Sequence, residues 1–532
     1  MNALHISIEQ SKQFSKLILD YVNNADNVKP FYNLRPDISS YQTMMEQKNY
    51  NPSYRPILAD ELKAQYQQAG INITKNHQVN QNIEFLLEQD TYTVTTGHQL
   101  CLFTGPLYFI YKILSTLKWC EELKAAYPSK NFVPVFWMAT EDHDFEEINH
   151  INIGNQKLSW DIDTHEQPVG RLNLETFGSF AEKVLALAQN DFAKKQVEEW
   201  ISYYTQSENL SIATRKLVHH LFNEYGLVIL DADSKSLKKL LVPYIKKDVL
   251  EQHNYEVLNQ TNLKLKQQYK TQVNGRAINF FYLSKWGRKL ITQHKNHFEI
   301  QGTDIRFTAE EITQDIEQNP ENYSPNVIMR PLYQELILPN LSYIGGPGEI
   351  AYWLQLKDVF AHNSIAFPIL TLRNFVLMVQ HQHNNKLTKM GLSTLDLFKP
   401  SIDVERQLVS LNKEGGQQEV INSFNHLLQN FIDIAQQTNN KLSSEILSHK
   451  LAWSNTLEQL AHKLDKQQRE KISAQTLNFL TIQSLYFPKG TPQERYYNIL
   501  TFGIHQSVKQ FIADTYGILH TSQTALIIGL KH

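Results

Sequence analysis

The stretch TVTTGHQLCLFTGPLYFIYK, Thr93 to Lys112, changes character halfway along, and that change decides the fold. A β-branched run ends at Gly97-His98-Gln99, as a buried strand does, and the chain restarts as a helix around Thr104-Gly105-Pro106. The junction puts backbone N–H groups and an imidazole at the carboxyl edge of a sheet, where anions such as phosphates are stabilised. Leu107, Ile110, Leu114 and Leu117, spaced three, four and three, predict one apolar helix face running to about Tyr127. Lys112, Lys118, Glu121 and Glu122 fall between the apolar positions.

Tyr92 to Thr96 is then a first strand, and FVPVFWM, Phe132 to Met138, a second one too apolar to face water on either side. Strand, helix and strand make a β-α-β unit with a parallel sheet. A third strand is expected at Ile151 to Ile153. GLVILDAD, Gly226 to Asp233, repeats the pattern of a buried strand ending in acidic residues, and core-like pieces return as VIMRPLYQELILP, SYIGGPGEIAYW and IAFPILTLR. Between them lie two poorly periodic regions, read as insertions at about 154–210 and 240–325, the second with a possible strand at Ile278 to Leu283. The fold class is α/β, an interrupted doubly wound domain over 92–375. An irregular lead of 1–91 precedes it, with one helix from about Ala59 to Ala69 closed by Gly70.

From about Val420, Ile421, Phe424, Leu428, Phe431, Ala435, Thr438 and Leu442 recur by threes and fours, the seam of a coiled coil. A second run through Trp453, Leu457, Leu460 and Leu464 keeps the period but shifts phase, which places a stutter or helix turn near Ser443 to His449 and favours an antiparallel pair. Helices of about 27 residues extend roughly 40 Å. The region 376–485 is thus helical, and either offers a dimer contact or packs its seam on its own core; 486–532 is expected to pack back on the α/β core.

The 532 residues are 42% hydrophobic and 20% charged, the composition of an ordinary globular protein of several domain-sized units. A net charge of −3 with a pI near 6.7 argues against nucleic acid as a partner. Two cysteines, Cys101 and Cys120, are too few for a disulfide framework and fit a reducing, cytoplasmic setting. No leader of the secretory type is read at the N-terminus, and no apolar run reaches the roughly 18 residues of a membrane span.

Three constellations carry chemistry. The first is Gly97, His98, Thr104 and Gly105, a phosphate cradle at the strand-to-helix junction; the alternative is that the glycines shape turns and His98 is structural. The second is ATEDHDFEE, Ala139 to Glu147, at the same sheet edge. Asp142 and Asp144 there suit an ammonium, an attacking amine or magnesium, and a solvated acidic turn is the alternative. A zinc site from His143, Asp144 and His150 lacks the usual ligand spacing, so a metal ligand set stays unknown. The third is the glycine loop at Gly345, Gly346 and Gly348, opening a helix at Glu349. Arg330 and Arg373 end apolar segments, where a guanidinium needs either a substrate carboxylate or phosphate or an internal ion pair. Cys101 and Cys120 read as small buried residues.

GHQ with FTGPLY, PVFWMATEDHDFEE, PVGR at Pro168 to Arg171, GLVILDAD, MRPLYQELILPNLSYIGGPGEIAYWLQLK and QERYYN together resemble the bacillithiol biosynthesis family BshC over nearly the whole chain. The resemblance implies a Rossmann-like nucleotide-binding core, related to class I nucleotidyl transferases and cysteinyl-tRNA synthetase, with two connective insertions and a coiled-coil homodimer. It implies a carbon–nitrogen ligase that joins the cysteine carboxyl to the amino group of glucosaminyl-malate, with ATP or another adenine nucleotide, and magnesium, as cofactors. On that basis Gly97, His98, Thr104, Gly105, Gly345 and Gly346 are expected around the nucleotide, His98, Asp142 and Asp144 at the reacting groups, and Arg330 and Arg373 at the malate carboxylates. The rival expectations are a nucleotidyl transferase of another pathway and a non-catalytic coiled-coil assembly protein.

Overall fold

A computed structural model describes every residue except 1, 76, 296, 413–416, 439, 504–506, 524 and 532. Met1–Leu377 and Gln493–Gly529 form one compact unit, and Met378–Pro492 belongs to a second.

The first unit is built on five parallel strands, β1 (Thr91–His98), β2 (Asn131–Met138), β3 (Val228–Asp231), β4 (Asn340–Gly345) and β5 (Ile369–Leu372), in the spatial order β5-β4-β1-β2-β3. β1 and β2 pair in register from Thr91 opposite Asn131 to His98 opposite Met138. The chain winds one way from β1 to β3 and the other way through β4 and β5. The order therefore reverses between β1 and β4, and a doubly wound sheet opens its crevice at the carboxyl ends of strands at such a reversal.

Four helices position that edge: α1 (Tyr108–Ala126), α2 (Lys235–Glu251), α3 (Met329–Ile337) and α4 (Pro347–Trp353). Trp119, Cys120 and Leu123 of α1 pack on Val94, Leu341, Ile344 and Ile369 of the sheet, with Tyr41 and Met44 from the N-terminal region completing the cluster. Both cysteines are buried free thiols.

The structure departs from the sequence reading in four places. Residues 1–91 are no irregular lead: helices Lys16–Val22, Ile38–Gln47, Tyr54–Gln68 and His77–Phe85 pack within the first unit, and the helix expected from Ala59 starts at Tyr54. The strand at His150–Ile153 exists but pairs antiparallel with Gln156–Ser159, outside the parallel sheet. It buries alternate residues, whereas a central parallel strand needs both faces apolar.

The region 240–325 is regular. α2 and a helix at His253–Leu265 lead into an antiparallel sheet in which Phe280–Ser284 lies between Gly287–His294 and Tyr323–Pro325. In the second unit, helices Gln417–Thr438 and Asn440–Tyr486 run antiparallel, with Ser454 Oγ on Asn425 Oδ1 at 2.8 Å and Lys450 Nζ on Gln429 Oε1 at 2.7 Å. The first of these helices is described to Thr438 and the second from Asn440, ahead of the expected Ser443 to His449. Ile421, Leu428, Ile432 and Ala435 are buried while Phe431 and Leu442 are exposed, so the seam steps by four from Leu428.

Arg55 ties the N-terminal helices to the entry of β1. Its Nη1 donates to the Leu86 carbonyl at 2.9 Å, and its Nη2 to those of Gln89 and Thr91 at 3.1 Å. Arg55→Leu, which removes three charge-assisted bonds and leaves buried carbonyls unpaired, is expected to cost about 2–4 kcal/mol. A thermal or denaturant melt checks this; an unchanged midpoint contradicts the role given to Arg55.

Candidate active site

A cavity of about 740 Å³ opens at the carboxyl edge of the parallel sheet. Gly97 and His98 reach it from β1, Glu141 and Asp142 from the segment after β2, and Asp233 from beyond β3. Arg330 reaches it from α3, Lys112 from α1 and Glu349 from α4. The second insertion adds Asn274, Arg276, Phe281 and Arg288 to the lining. The volume is that of a small-molecule site.

At the strand-order reversal Lys112, on the buried side of α1, turns its ammonium back to the Gly97 carbonyl and to Glu349, 2.8 Å from Oε1 and 2.7 Å from Oε2. Glu349 also accepts from the Tyr343 hydroxyl at 2.5 Å and, reaching back from the third position of α4, from the N-cap Gly346 N–H at 2.9 Å. Burial opposes the Glu349 charge, but Lys112 and these donors hold its carboxyl below the usual range. Burial likewise lowers Lys112, with Glu349 opposing.

His98 packs between Tyr108 and Phe109, ring centroids 5.2 and 5.0 Å away. Its Nδ1 lies 3.0 Å from the Gln99 carbonyl, which can only accept, so the ring carries its proton on Nδ1. Burial, with Lys112 nearby, lowers its pKa to about 4. His98 is therefore a neutral imidazole at neutral pH, which corrects any reading of it as a cationic group.

Arg330 sits beside Gly97, where a Cβ would lie 3.5 Å from its Nη1. Trp137, Tyr343 and Trp353 surround the guanidinium at 5.4–5.9 Å. Nη1 donates to Gln334 Oε1 at 3.1 Å, and Nη2 is buried with no hydrogen-bond partner. Tyr352 also hydrogen-bonds the side chain, and a guanidinium in the lining of a cavity suits an anionic ligand.

The acidic segment splits. Asp142 lines the cavity, with Oδ2 accepting from Gln99 Nε2 at 2.7 Å and Oδ1 from the His143 N–H at 2.8 Å. Asp144 is exposed and stands away from the lining. Glu141, which the sequence reading passed over, lines the cavity with its side chain 13% exposed and bonds Lys238 at 2.6 Å.

Other expected residues are used in shaping the edge. Thr104 and Gly105 are buried away from the cavity, and the start of α1 is taken by the chain's own QERYYN segment. Asn498 Nδ2 donates to the Phe103 and Gly105 carbonyls at 2.8 and 2.7 Å, and the Leu107 N–H donates to the Tyr497 carbonyl at 2.9 Å. Gly105, at φ +61°, presses so close that a Cβ would lie 2.4 Å from Cys101 Cβ. Gly345 and Gly346 form the tight turn from β4 into α4 and do not line the cavity. Arg373 makes the internal ion pair, its Nη1 and Nη2 on Glu494 at 2.9 and 2.6 Å. Among the described residues no three His, Cys, Asp or Glu side chains gather as a metal centre, and no helix is long and apolar enough to cross a membrane.

Lys112, Glu349 and Glu141 were seen in their segments without being assigned to the site, and Arg288 was missed. A lysine four residues after Tyr108 on the sheet-facing side of α1 and a glutamate at the third position of α4 were signals for the first two. Arg288, held by Ser324 Oγ at 3.0 Å, the Pro325 carbonyl at 2.8 Å and His143 Nδ1 at 3.2 Å, gave none.

His98 makes folding pH-dependent. From its ordinary 6.5 down to about 4 the unfolded chain binds a proton that folded His98 refuses, so stability is undiminished by this group above pH 6.5 and falls as pH drops through that window. The loss approaches roughly 3 kcal/mol near pH 4. Melts of the wild type and His98→Gln across this range should show a shallower acid slope for the variant, and equal slopes contradict the assignment.

Comparisons with known proteins follow this geometry. The family model for the bacillithiol biosynthesis BshC N-terminal Rossmann-like domain matches residues 1–374, and that for the BshC C-terminal coiled-coil domain matches residues 376–528. A curated protein of Flavobacterium johnsoniae named "Putative cysteine ligase BshC" is 39% identical over 508 residues, covering 93% of this chain and 94% of that one. A protein of the same name from Flavobacterium psychrophilum is 40% identical over 504 residues, 92% of each chain. One from Bacillus cereus is 27% identical over 502 residues, covering 91% of this chain and 92% of that one. With its Rossmann-like strand order and its helical second unit, the chain belongs to the bacillithiol biosynthesis BshC family.

Proposed function

We propose that this chain is an ATP-dependent ligase of bacillithiol biosynthesis, joining the carboxyl group of cysteine to the amino group of glucosaminyl-malate. The observation that carries the reading is the cavity at the strand-order reversal. It brings the Arg330 guanidinium, beside Gly97, and the carboxylates of Glu141 and Asp142 that follow β2 into one lining. A ligase of this kind must hold anions and an amine together, and these walls offer both.

In this reading the edge at Gly97 and His98 meets the nucleotide phosphates, His98 acting as a neutral hydrogen-bonding group. Arg330 takes a malate carboxylate and Asp142 orients the amine. ATP supplies the activation of the cysteine carboxyl. Magnesium arrives with the phosphates, since it keeps most of its water and needs only one or two protein oxygens. Thr104, Gly105, Gly345, Gly346 and Arg373 serve by fixing the backbone around the cavity, and Asp144 has no direct part. The buried free thiols fit work in the reducing cytoplasm.

The pure protein incubated with ATP, cysteine and glucosaminyl-malate should yield bacillithiol with nucleotide cleavage, read by mass spectrometry. Absence of product where a cell extract makes it sinks the ligase reading, and a product that keeps the nucleotide indicates a transferase instead. Arg330→Met should raise KM for glucosaminyl-malate about 10–100-fold, the loss of one charged hydrogen bond.

The coiled coil also leaves Leu427, Phe431, Ile434, Leu451 and Leu464 exposed, and a second copy of the chain is the proposed cover. Light scattering should give a dimer for the wild type and a monomer for Phe431→Glu/Ile434→Glu; a wild-type monomer at micromolar concentration removes this proposal.

A further inference from the structure

We propose that Glu141 accepts the proton that the glucosaminyl amine loses as it attacks the activated cysteine carboxyl, an assignment that rests on the ligase reading above. Five carboxylates follow β2 in the acidic segment, Glu141, Asp142, Asp144, Glu146 and Glu147, and their surroundings separate them. Asp142 has both oxygens engaged, one by the Gln99 amide and one by the His143 N–H, which fixes it as an orienting charge. Asp144 faces solvent. Glu141 lines the cavity and, among the described residues, takes its hydrogen bond through Oε1 alone, from Lys238 Nζ at 2.6 Å. Glu147 also lines the cavity but is exposed and accepts from Gln99 Nε2 at 2.7 Å, so Glu141, its side chain 13% exposed, offers in Oε2 the more buried acidic-segment oxygen for a ligand.

The support behind Glu141 is built for position. Lys238 is fully buried and is pinned from its other sides by Asp233 Oδ1 at 2.8 Å and the Glu321 carbonyl at 3.2 Å. Asp233 is gripped in turn by Nε and Nη2 of Arg171, each at 3.0 Å. The chain Arg171–Asp233–Lys238–Glu141 alternates in sign, runs inward to the cavity, and balances to zero charge with Glu141 ionised. An incoming proton on Glu141 therefore leaves the cluster with one positive charge beside a departing phosphate.

The groups facing Glu141 are Lys238 from α2, Asp233 beyond β3, Arg288 from the antiparallel sheet and the Tyr333 phenol from α3. Burial raises its carboxyl, Lys238 opposes, Asp233 adds to the rise and Arg288 opposes; the net is a carboxyl above its ordinary range. That moves it towards the pH at which a carboxylate serves as a base.

In the step itself the amine nitrogen forms a bond to the cysteine carbonyl carbon. The bond from that carbon to the phosphate-bearing oxygen derived from the nucleoside triphosphate breaks, and its electron pair leaves with the phosphate group. The proton on the new amide nitrogen passes to Glu141 Oε2.

The test uses the full-length wild type and Glu141→Gln, whose amide still accepts from Lys238. Two rates are compared with ATP and cysteine present: amide formation with glucosaminyl-malate, and capture of the activated cysteine by hydroxylamine. The expected result is a fall of about 100-fold or more in amide formation, with hydroxamate formation near the wild-type rate and Glu141→Asp restoring part of the loss. Wild-type amide formation by Glu141→Gln overturns the assignment while leaving the ligase reading intact. Equal loss of both rates also overturns it, because Glu141 then supports activation or the fold. A wild type that forms neither product removes the ligase reading, and the assignment with it.

Discussion

An ammonium buried beneath a helix must find an acceptor for each of its N–H bonds, and Lys112 finds them where the strand order reverses. The Gly97 carbonyl lies on one side and the two oxygens of Glu349 on the other. Loss of either partner would strand the other charge in the interior, at a cost of about 3–5 kcal/mol. Through Glu349 the same contact reaches the Tyr343 hydroxyl on β4 and the Gly346 N–H that opens α4. One ion pair thereby locks α1, the end of β1 and the β4–α4 turn. Gly97 cannot rotate its carbonyl without unpairing Lys112, so the direction in which His98 leaves the strand is fixed, and Arg330 can lie against the bare Gly97 Cα.

The second buried lysine repeats the device. Lys238 lies on α2, the helix that follows β3, and reaches back to Asp233 just past the end of its own strand, as Lys112 reaches back from α1 to Gly97. In many doubly wound folds positive potential at the sheet edge comes from free helix N-termini. Here the start of α1 is closed by Asn498 and Tyr497. Charge at the edge is then set by buried side chains, which act over hydrogen-bond distance and choose their partners. That is why acidic residues of one cavity differ so much in state: Glu349 is held ionised by three donors, while Glu141, with one, is pushed upward by burial.

What the sequence disclosed follows the range of the interaction. The β1–α1–β2 unit and the β4–α4 turn were legible because alternation, apolar spacing and Gly-Pro punctuation are local. The turn at Thr104-Gly105-Pro106 was legible too, but not its occupant, since Asn498 lies nearly four hundred residues on. Arg373 shows the same limit. Its need for a carboxylate could be read, while the choice between substrate and Glu494 belonged to tertiary packing. His98 was placed correctly at the sheet edge, yet its charge depends on burial between two aromatic rings, which no spacing encodes. The antiparallel sheet was read as irregular because its strands cover one face only and are interrupted by polar turns.

That sheet is also what turns an open edge into a cavity. A doubly wound sheet alone offers a shallow crevice with anion-binding groups on one side. Phe281 and Arg288 pack face to face, 4.0 Å from guanidinium carbon to ring centroid, and Arg288 spans from the Pro325 carbonyl to His143 in the acidic segment. The guanidinium is thus a strut between insertion and core, and burial makes it expensive to leave unpaired. The core edge carries the groups common to any handling of anions, whereas Asn274, Arg276, Phe281 and Arg288 add shape and charge to the lining. Discrimination between one amine-bearing acceptor and another of similar charge must therefore be sought in the insertion rather than in the glycine turns of the core.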